Sequence, residues 1–167
     1  MSIQIFEGEE GCYAHQIAKG VKYAADNGAV IINNSWGYEP HNGYDGDNDY
    51  EHYDSVLKNA FTYFKEKARL EGVMEGGLVV FAAGNETYNE SAYPAAYRDY
   101  ISVSAMSSDY TATYYTNYGP GVNVCAPGGD AYYGTFLTIS SVSTSEKDGY
   151  EYMHGTSMAC PHVSGCA

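Results

Sequence analysis

Three apolar runs separated by helical patterns most restrict the folds open to this chain. Residues 29–32, 77–83 and 100–105 are almost continuously apolar or β-branched, which is typical of strands buried on both faces of a parallel sheet. Between them, apolar residues recur every three to four positions in 13–27 and 57–68, as on amphipathic helices. We therefore predict an α/β fold with three layers, in which a mostly parallel sheet carries helices on both faces.

Shorter elements are expected at both ends of this core. Weak alternation over residues 2–6 and the apolar run 122–126 each indicate a short strand. Residues 136–142 and 151–153 are expected to pair as a hairpin that leads into the last segment of the chain.

Polar segments follow the strands where functional sites are usually found. Residues 35–37 follow the first apolar run, and residues 84–86 follow the second. The carboxyl ends of parallel strands share one edge of a sheet, and sites in α/β proteins gather there. We expect these segments and the turn before Ser157 to converge on one site.

The charge and hydropathy of the chain argue against two classes of function. With 8 Lys and Arg against 21 Asp and Glu, the 167-residue chain has a formal net charge of -13 at pH 7. A nucleic-acid partner is disfavoured, because phosphate binding needs clustered basic residues. No apolar run reaches the ~18 residues of a membrane span.

The segment that carries chemistry is 154–165, His-Gly-Thr-Ser-Met-Ala-Cys-Pro-His-Val-Ser-Gly. It runs from a glycine turn into a small, apolar stretch that is typical of a helix start. A hydroxyl at that point lies beside unpaired N–H groups, which also stabilise a developing anion. The segment closely resembles the serine motif of subtilisin-like proteases, Gly-Thr-Ser-Met-Ala-x-Pro-His-Val-x-Gly. By that resemblance Ser157 is the nucleophile of a serine endopeptidase acting on peptide or protein substrates.

Other segments extend the resemblance. Residues 82–85, Ala-Ala-Gly-Asn, are similar to the family's segment that carries the oxyanion-hole asparagine, which implies that role for Asn85. Residues 35–37, Ser-Trp-Gly, match the Ser-x-Gly segment whose backbone pairs with substrate. Residues 93–95, Tyr-Pro-Ala, resemble the Tyr-Pro-Gly stretch across the pocket, which implies a cis Tyr93–Pro94 bond. The substrate-binding residues implied are Ser35, Trp36, Gly37, Ala83, Gly84, Glu86, Ala92, Tyr93, Ala95 and Thr156.

The general base is missing from this pattern. His154 begins a His-Gly-Thr triplet like that of the family's histidine motif, but the following residues differ, so we take it as a neighbour of the site. His162 belongs to the serine motif and is expected to be a buried, satisfied histidine. The remaining histidines, His15, His41 and His52, match no family motif, and no Asp-(Thr/Ser)-Gly motif is present.

The resemblance therefore implies that residues 1–167 are part of a subtilisin-like catalytic domain. The Asp and His motifs would belong to an N-terminal segment of the same domain, and the chain stops just after the serine motif. These residues alone are expected to be inactive. The resemblance further implies secretion or a cell-envelope location.

No cofactor is assigned. The family commonly binds calcium, but the resemblance identifies no ligands here, and the acidic loop with Asp45, Asp47 and Asp49 lacks the glycine and the final acidic residue of a calcium loop. The four cysteines, at positions 12, 125, 160 and 166, fit neither a zinc motif nor a disulfide framework and are expected to be free and buried.

Two other functions remain open. The absent Asp and His motifs favour a non-catalytic peptide-binding domain on the same scaffold. The 19 tyrosines would suit a carbohydrate-binding surface, although that reading leaves the serine motif unexplained.

Overall fold

The computed structural model describes residues 1–7, 10–38, 55–133, 139–142 and 150–167. These ranges contain three α-helices, α1 (Ala14–Asp26), α2 (Ser55–Lys67) and α3 (Thr156–Cys166), and a short 3-10 helix over Ala131–Tyr133. The longer strands are β3 (Ile31–Asn34), β4 (Leu78–Ala82), β5 (Ile101–Met106) and β6 (Val124–Pro127). Two short pairs complete the described elements: β1 (Phe6–Glu7) with β2 (Glu10–Gly11), and β7 (Ile139–Val142) with β8 (Tyr150–Met153).

The predicted parallel sheet is confirmed. Its strand order is β3-β4-β5-β6. β4 pairs with β5 in parallel, with Ala82 opposite Val103, and β5 pairs with β6 in parallel, with Val103 opposite Val124. The residues after β4, β5 and β6 therefore leave the sheet at the same edge.

The chain folds into two compact units, Met1–Ile32 with Asp47–Val79 and Asn33–Gly46 with Val80–Ala167. In the first unit, α1 and α2 pack against each other. Their facing sides follow the helical spacing read from the sequence, and Leu57, Phe61 and Phe64 are fully buried.

Polar contacts between the two helices lie on the outside of this pair. Lys22 and Asp26 form an exposed ion pair one turn apart on α1. The hydroxyl of Tyr63 on α2 donates a hydrogen bond of 2.7 Å to Asp26, and Lys22 Nζ lies 5.0 Å from the Tyr63 ring centroid. The hydrogen bonds from Lys22 and Tyr63 lower the pKa of Asp26 below its usual value.

In the second unit, α3 packs on β5 and β6. Val80, Phe81, Ser102 and Val103 are fully buried there. The hairpin is also confirmed, because β7 and β8 pair antiparallel with Ile139 opposite Met153; residues 136–138 of the predicted strand lie outside the described residues.

Two of the strand boundaries that differ from the sequence prediction have a physical explanation. The first strand begins at Phe6 rather than at residue 2, because residues 2–5 have no partner strand in the described chain. β3 continues two residues further, through Asn33 and Asn34. The Asn34 side chain is buried and donates to the carbonyl of Val80 at 3.2 Å, which allows a polar residue to end a buried strand.

The predicted burial is wrong for three of the four cysteines and for His162. All four cysteines are free, but Cys125 and Cys166 are exposed and Cys12 is half-buried. β6 lies at the end of the described strand order, so its side chains are mostly exposed. His162 is also exposed, because it lies on the open side of α3, with Nδ1 2.8 Å from the carbonyl of Met158.

Candidate active site

Ser157 lies in the first turn of α3. The helix begins after Gly155, whose φ of 147° is in the region that favours glycine. The Gly155 N–H donates to the carbonyl of Gly128 at 2.9 Å, which attaches this turn to the segment after β6. Ser157 therefore sits where helix N–H groups lack partners within the helix, and within the described residues its own N–H has none.

The Ser157 side chain contacts the segment that follows β3. Ser157 Oγ donates to the carbonyl oxygen of Ser35 at 3.2 Å, and Ser35 Oγ donates to the carbonyl oxygen of Ser157 at 2.8 Å. This reciprocal pair connects two segments that are 122 residues apart in the chain. The structure thus brings together the first and last of the predicted site segments.

Asn85 follows β4 and is anchored by one end of its side-chain amide. Its Oδ1 accepts hydrogen bonds from the backbone N–H of Thr156 at 2.8 Å and from Thr156 Oγ1 at 2.9 Å. Thr156 is fully buried, and its hydroxyl also accepts the Gly84 N–H at 3.2 Å. Within the described residues the Asn85 Nδ2 group has no protein acceptor, so both its hydrogens are available to a ligand.

The segment after Asn85 is held by a residue that the sequence did not single out. The Glu86 carboxylate accepts a hydrogen bond of 2.7 Å from Nδ2 of Asn117, which is fully buried. In the sequence Asn117 precedes Tyr118-Gly119 and has the pattern of an ordinary turn residue, so no local signal identifies this contact.

The two predicted sides of the substrate pocket approach each other. The N–H of Tyr38 donates to the carbonyl of Tyr93 at 2.8 Å, and a Cβ on Gly37 would lie 3.2 Å from that carbonyl and 3.9 Å from Ala92 Cβ. The N–H of Ala92 donates to the carbonyl of Ala83 at 2.7 Å. The Tyr93–Pro94 bond is cis, as the resemblance implies.

The larger side chains of this region pack inward. The Trp36 ring meets Phe81 edge to face at 5.3 Å, and its Nε1 donates to Asn34 Oδ1 at 3.3 Å. Ala92 and Ala95 are buried. Eleven of the predicted site residues therefore lie on neighbouring segments around Ser157: Ser35, Trp36, Gly37, Ala83, Gly84, Asn85, Glu86, Ala92, Tyr93, Ala95 and Thr156.

No described histidine bonds to Ser157. His154 is exposed, lies beside the rings of Tyr114 and Tyr115, and has Nε2 3.3 Å from the Tyr114 hydroxyl. His162 contacts Met158 as described, and His41 and His52 fall outside the described residues. Within the part of the chain that the structure describes, Ser157 has no imidazole base.

The nearby thiol is not a second nucleophile. Cys160 is fully buried, one turn beyond Thr156, with Sγ 3.9 Å from the carbonyl of Asn34. Burial raises its pKa to about 12, so the thiol stays protonated at neutral pH.

Metal ligands are not grouped in the described ranges. There, no cluster of three or more His, Cys, Asp or Glu residues has an arrangement that would hold an ion. The acidic loop with Asp45, Asp47 and Asp49 lies outside those ranges.

None of the described helices combines the length and the apolar character that a membrane crossing requires.

Comparison with known proteins identifies the family. The model of the subtilase family (Peptidase_S8) matches residues 1–167. The chain is 37% identical over 151 residues to the thermophilic serine proteinase of Bacillus sp. strain AK1, covering 90% of this chain and 30% of that protein. It is 34% identical over 151 residues to thermitase of Thermoactinomyces vulgaris, covering 90% of this chain and 43% of thermitase.

A solved structure shares the fold. The nisin leader peptidase NisP from Lactococcus lactis superimposes with a TM-score of 0.72 at 25% identity, over 97% of this chain and 53% of that one. The chain thus spans between 30% and 53% of the length of these three proteins.

Proposed function

This chain belongs to the subtilase family, and we propose that it carries the nucleophile and the oxyanion hole of a serine-type endopeptidase. Ser157 is the proposed nucleophile. The Asn85 side-chain amide and the Ser157 N–H are the proposed oxyanion donors.

The anchoring of Asn85 is the observation that carries this proposal. Thr156 donates to Asn85 Oδ1 twice, from its N–H and from its hydroxyl. An amide held by its oxygen has a fixed plane, so the direction of its Nδ2–H groups is fixed as well. Donors oriented before the reaction stabilise developing negative charge without reorganising in the transition state. Thr156 is on this view a positioning residue, although the resemblance implied that it contacts substrate.

The proposed reaction is acyl transfer. Ser157 Oγ attacks the scissile carbonyl carbon, its proton passes to a general base, and the carbonyl oxygen becomes an anion that accepts hydrogen bonds from Asn85 Nδ2 and the Ser157 N–H. The intermediate collapses as the C–N bond breaks and the protonated base gives its proton to the leaving amine. Water then hydrolyses the acyl-enzyme by the same steps in reverse order.

The proposed substrate is an extended peptide segment. Its backbone would lie along residues 35–37, and the side chain before the scissile bond would enter a pocket bordered by residues 35–37 and 93–95. Support comes from the hydrogen bond between the Tyr38 N–H and the carbonyl of Tyr93, which brings these two segments next to each other. Small residues line this space, which favours apolar side chains.

We further propose that the base and its orienting carboxylate belong to a segment of the same domain outside these 167 residues. Loss of a triad member leaves only the residual rate from the oxyanion hole and binding. The 167 residues alone are therefore expected to show no appreciable peptidase activity.

The test is labelling of Ser157 by a fluorophosphonate. In the full-length gene product we expect stoichiometric labelling that the Ser157→Ala variant abolishes, together with peptide hydrolysis. In the 167-residue chain we expect neither. Labelling of the short chain at a comparable rate would show that its serine is activated from within and would overturn the inactivity proposal.

One observation favours the alternative, a non-catalytic peptide-binding domain. Ser157 Oγ donates its proton to the backbone of Ser35, which is a structural contact rather than an activated one. A full-length protein that binds peptides but neither reacts with fluorophosphonate nor hydrolyses them would establish this alternative and reject the enzyme.

A further inference from the structure

The residues that flank Asn85 on both sides are bonded to one buried side chain, that of Asn117. Its Oδ1 accepts the N–H groups of Glu86 at 3.1 Å and Tyr88 at 3.0 Å. Its Nδ2 donates to the carbonyl of Ala83 at 2.9 Å and to the Glu86 carboxylate at 2.7 Å. The Asn117 N–H adds a fifth bond, to the carbonyl of Gly84 at 3.1 Å.

These partners use the whole hydrogen-bonding capacity of the amide. A carboxamide has two N–H donors and one oxygen with two lone pairs, and here all four are engaged. The partners also fix its orientation, because two N–H groups face Oδ1 and two oxygens face Nδ2. An aspartate at this position could still accept the N–H groups of Glu86 and Tyr88, but it has no N–H to donate to the two oxygens. Among the common side chains of this size, only asparagine makes both kinds of bond.

The approach of Asn117 is close. A Cβ on Gly84 would collide with Asn117 Nδ2, and Gly84 has a φ of 106°. The glycine before Asn85 is therefore needed both for its backbone conformation and for room for the Asn117 amide.

We propose that Asn117 is a positioning residue for the oxyanion hole, holding the backbone of residues 83–88 so that Asn85 meets Thr156. This inference rests on the proposed function. Thr156 fixes the Asn85 side chain from one direction, and Asn117 fixes the main chain that carries it. Asn117 itself is fully buried, and its described side-chain hydrogen bonds go to the segment that carries Asn85 and not to Ser157.

The first experiment is a double-mutant cycle in the full-length gene product, with Asn117→Asp and Asn85→Ala. A carboxylate at 117 faces the carbonyl of Ala83 and the carboxylate of Glu86, so the segment must shift. A misplacement of ~1 Å costs about 100-fold in rate, and we expect kcat to fall about 10- to 100-fold in the presence of Asn85. In the Asn85→Ala background the further fall should be less than about 3-fold, because the group being positioned is already absent.

Asn123→Asp is the control for the change from an amide to a carboxylate, made at an exposed position. Asn123 also bonds a backbone N–H through Oδ1, that of Ser102 at 2.7 Å, but it lies away from residues 83–88. Aspartate preserves that acceptor, so kcat should stay within about 2-fold of the parent enzyme. Equal losses from Asn117→Asp in both Asn85 backgrounds would mean that Asn117 acts on the fold in general, and would overturn the proposal.

Exchanging the donor and the acceptor between positions 117 and 86 should rescue part of the activity. In the Asn117→Asp, Glu86→Gln double variant, the glutamine amide can donate to the new carboxylate, which restores one bond with reversed polarity. We expect this variant to recover part of the kcat lost in Asn117→Asp. No recovery relative to Asn117→Asp would contradict the bonding assigned to Nδ2.

A second measurement separates this inference from the proposed function. Amide hydrogen exchange of residues 83–88 should accelerate in Asn117→Asp of the full-length gene product and remain unchanged in Asn123→Asp. If Asn85→Ala leaves kcat unaltered, or if the protein hydrolyses no peptide, the proposed function fails. The exchange rates would still show whether Asn117 stabilises the backbone of residues 83–88. Unchanged exchange of 83–88 in Asn117→Asp would overturn the inference by itself.

Discussion

The helix pair of the first unit and segment 83–88 of the second are stabilised in opposite ways. In the α1–α2 pair, apolar side chains such as Phe61 and Phe64 are fully buried, and the polar contacts among Lys22, Asp26 and Tyr63 are exposed. In segment 83–88, the polar contacts are the buried ones, made by Asn117 and Thr156.

This difference determines how each region responds to change. Apolar packing is non-directional, so the helix pair should accept substitutions that conserve volume. Buried hydrogen bonds are directional, and removing one partner leaves the other without a bond in a place that water does not reach. A rigid site therefore depends on the second kind of contact, while a stable scaffold depends on the first.

Phe61→Ala should have the largest effect on the scaffold. The side chain is fully buried in the helix pair, and deleting it should lower the free energy of unfolding by about 3–5 kcal/mol. Phe61→Leu should cost far less, about 1.5 kcal/mol or below. Urea denaturation followed by circular dichroism measures both; equal losses for the two variants would contradict apolar packing as the main contribution.

Two glycines with positive φ provide the next comparison. Gly28 follows α1 with a φ of 84° and has open space at its Cβ position, whereas Gly84 has a φ of 106° and the Asn117 amide beside it. Gly28→Ala should cost about 1–2 kcal/mol from the backbone conformation alone. Gly84→Ala should cost about 1–3 kcal/mol more from the clash, and should also lower kcat of the full-length protein. Equal destabilisation by the two variants would mean that the Asn117 side chain can move away from the added methyl group at little cost.

Thr156→Val tests the side-chain anchor of Asn85. It removes the hydroxyl bonds to Asn85 and Gly84 but keeps the Thr156 N–H bond, so we expect kcat to fall about 10-fold with KM little changed. Thr113→Val is the control, since Thr113 is equally buried and its hydroxyl bonds the Ala105 carbonyl instead. Steady-state kinetics of the full-length protein would contradict the anchor if the two variants lost activity equally.

Asp26→Asn should have the smallest effect, because the ion pair is exposed and screened. The pKa of Asp26 is lowered in the folded state, so its contribution is present above its usual value of 3.8 and disappears as pH falls through the lower folded value. The parent should melt at a slightly higher temperature than Asp26→Asn near pH 7, and the two should coincide in strong acid. The difference should also shrink in 1 M salt; a gap that persists under both conditions would contradict an electrostatic origin.

The sequence predicted the helix pair and the strands well because their signal is local. The spacing of Leu57, Phe61 and Phe64 identifies a buried helical face without knowledge of its partner. Ser157 and Asn85 were identified from motifs that resemble those of the subtilase family. The family match confirms that the chain belongs to this family, while the roles of the two residues remain proposals.

The remaining features depend on partners distant in the chain. Nothing near Asn117 indicates that its amide would meet residues 83–88, some 30 positions earlier. The predicted burial of Cys125 and His162 failed for the same reason, since burial depends on which elements cover a strand or a helix face. A sequence motif shows which residues occur together in a family, but it does not show which distant side chains fix their positions.

Pro161 gives the nucleophile segment a contact that an ordinary helix would not have. It lies inside α3, four residues after Ser157, and a proline has no N–H to donate to the carbonyl one turn earlier. The carbonyl of Ser157 is thereby free to accept the Ser35 hydroxyl. A residue with an N–H at position 161 would add a second donor to that oxygen, so the proline leaves the Ser35 hydroxyl without an intrahelical competitor at the start of α3.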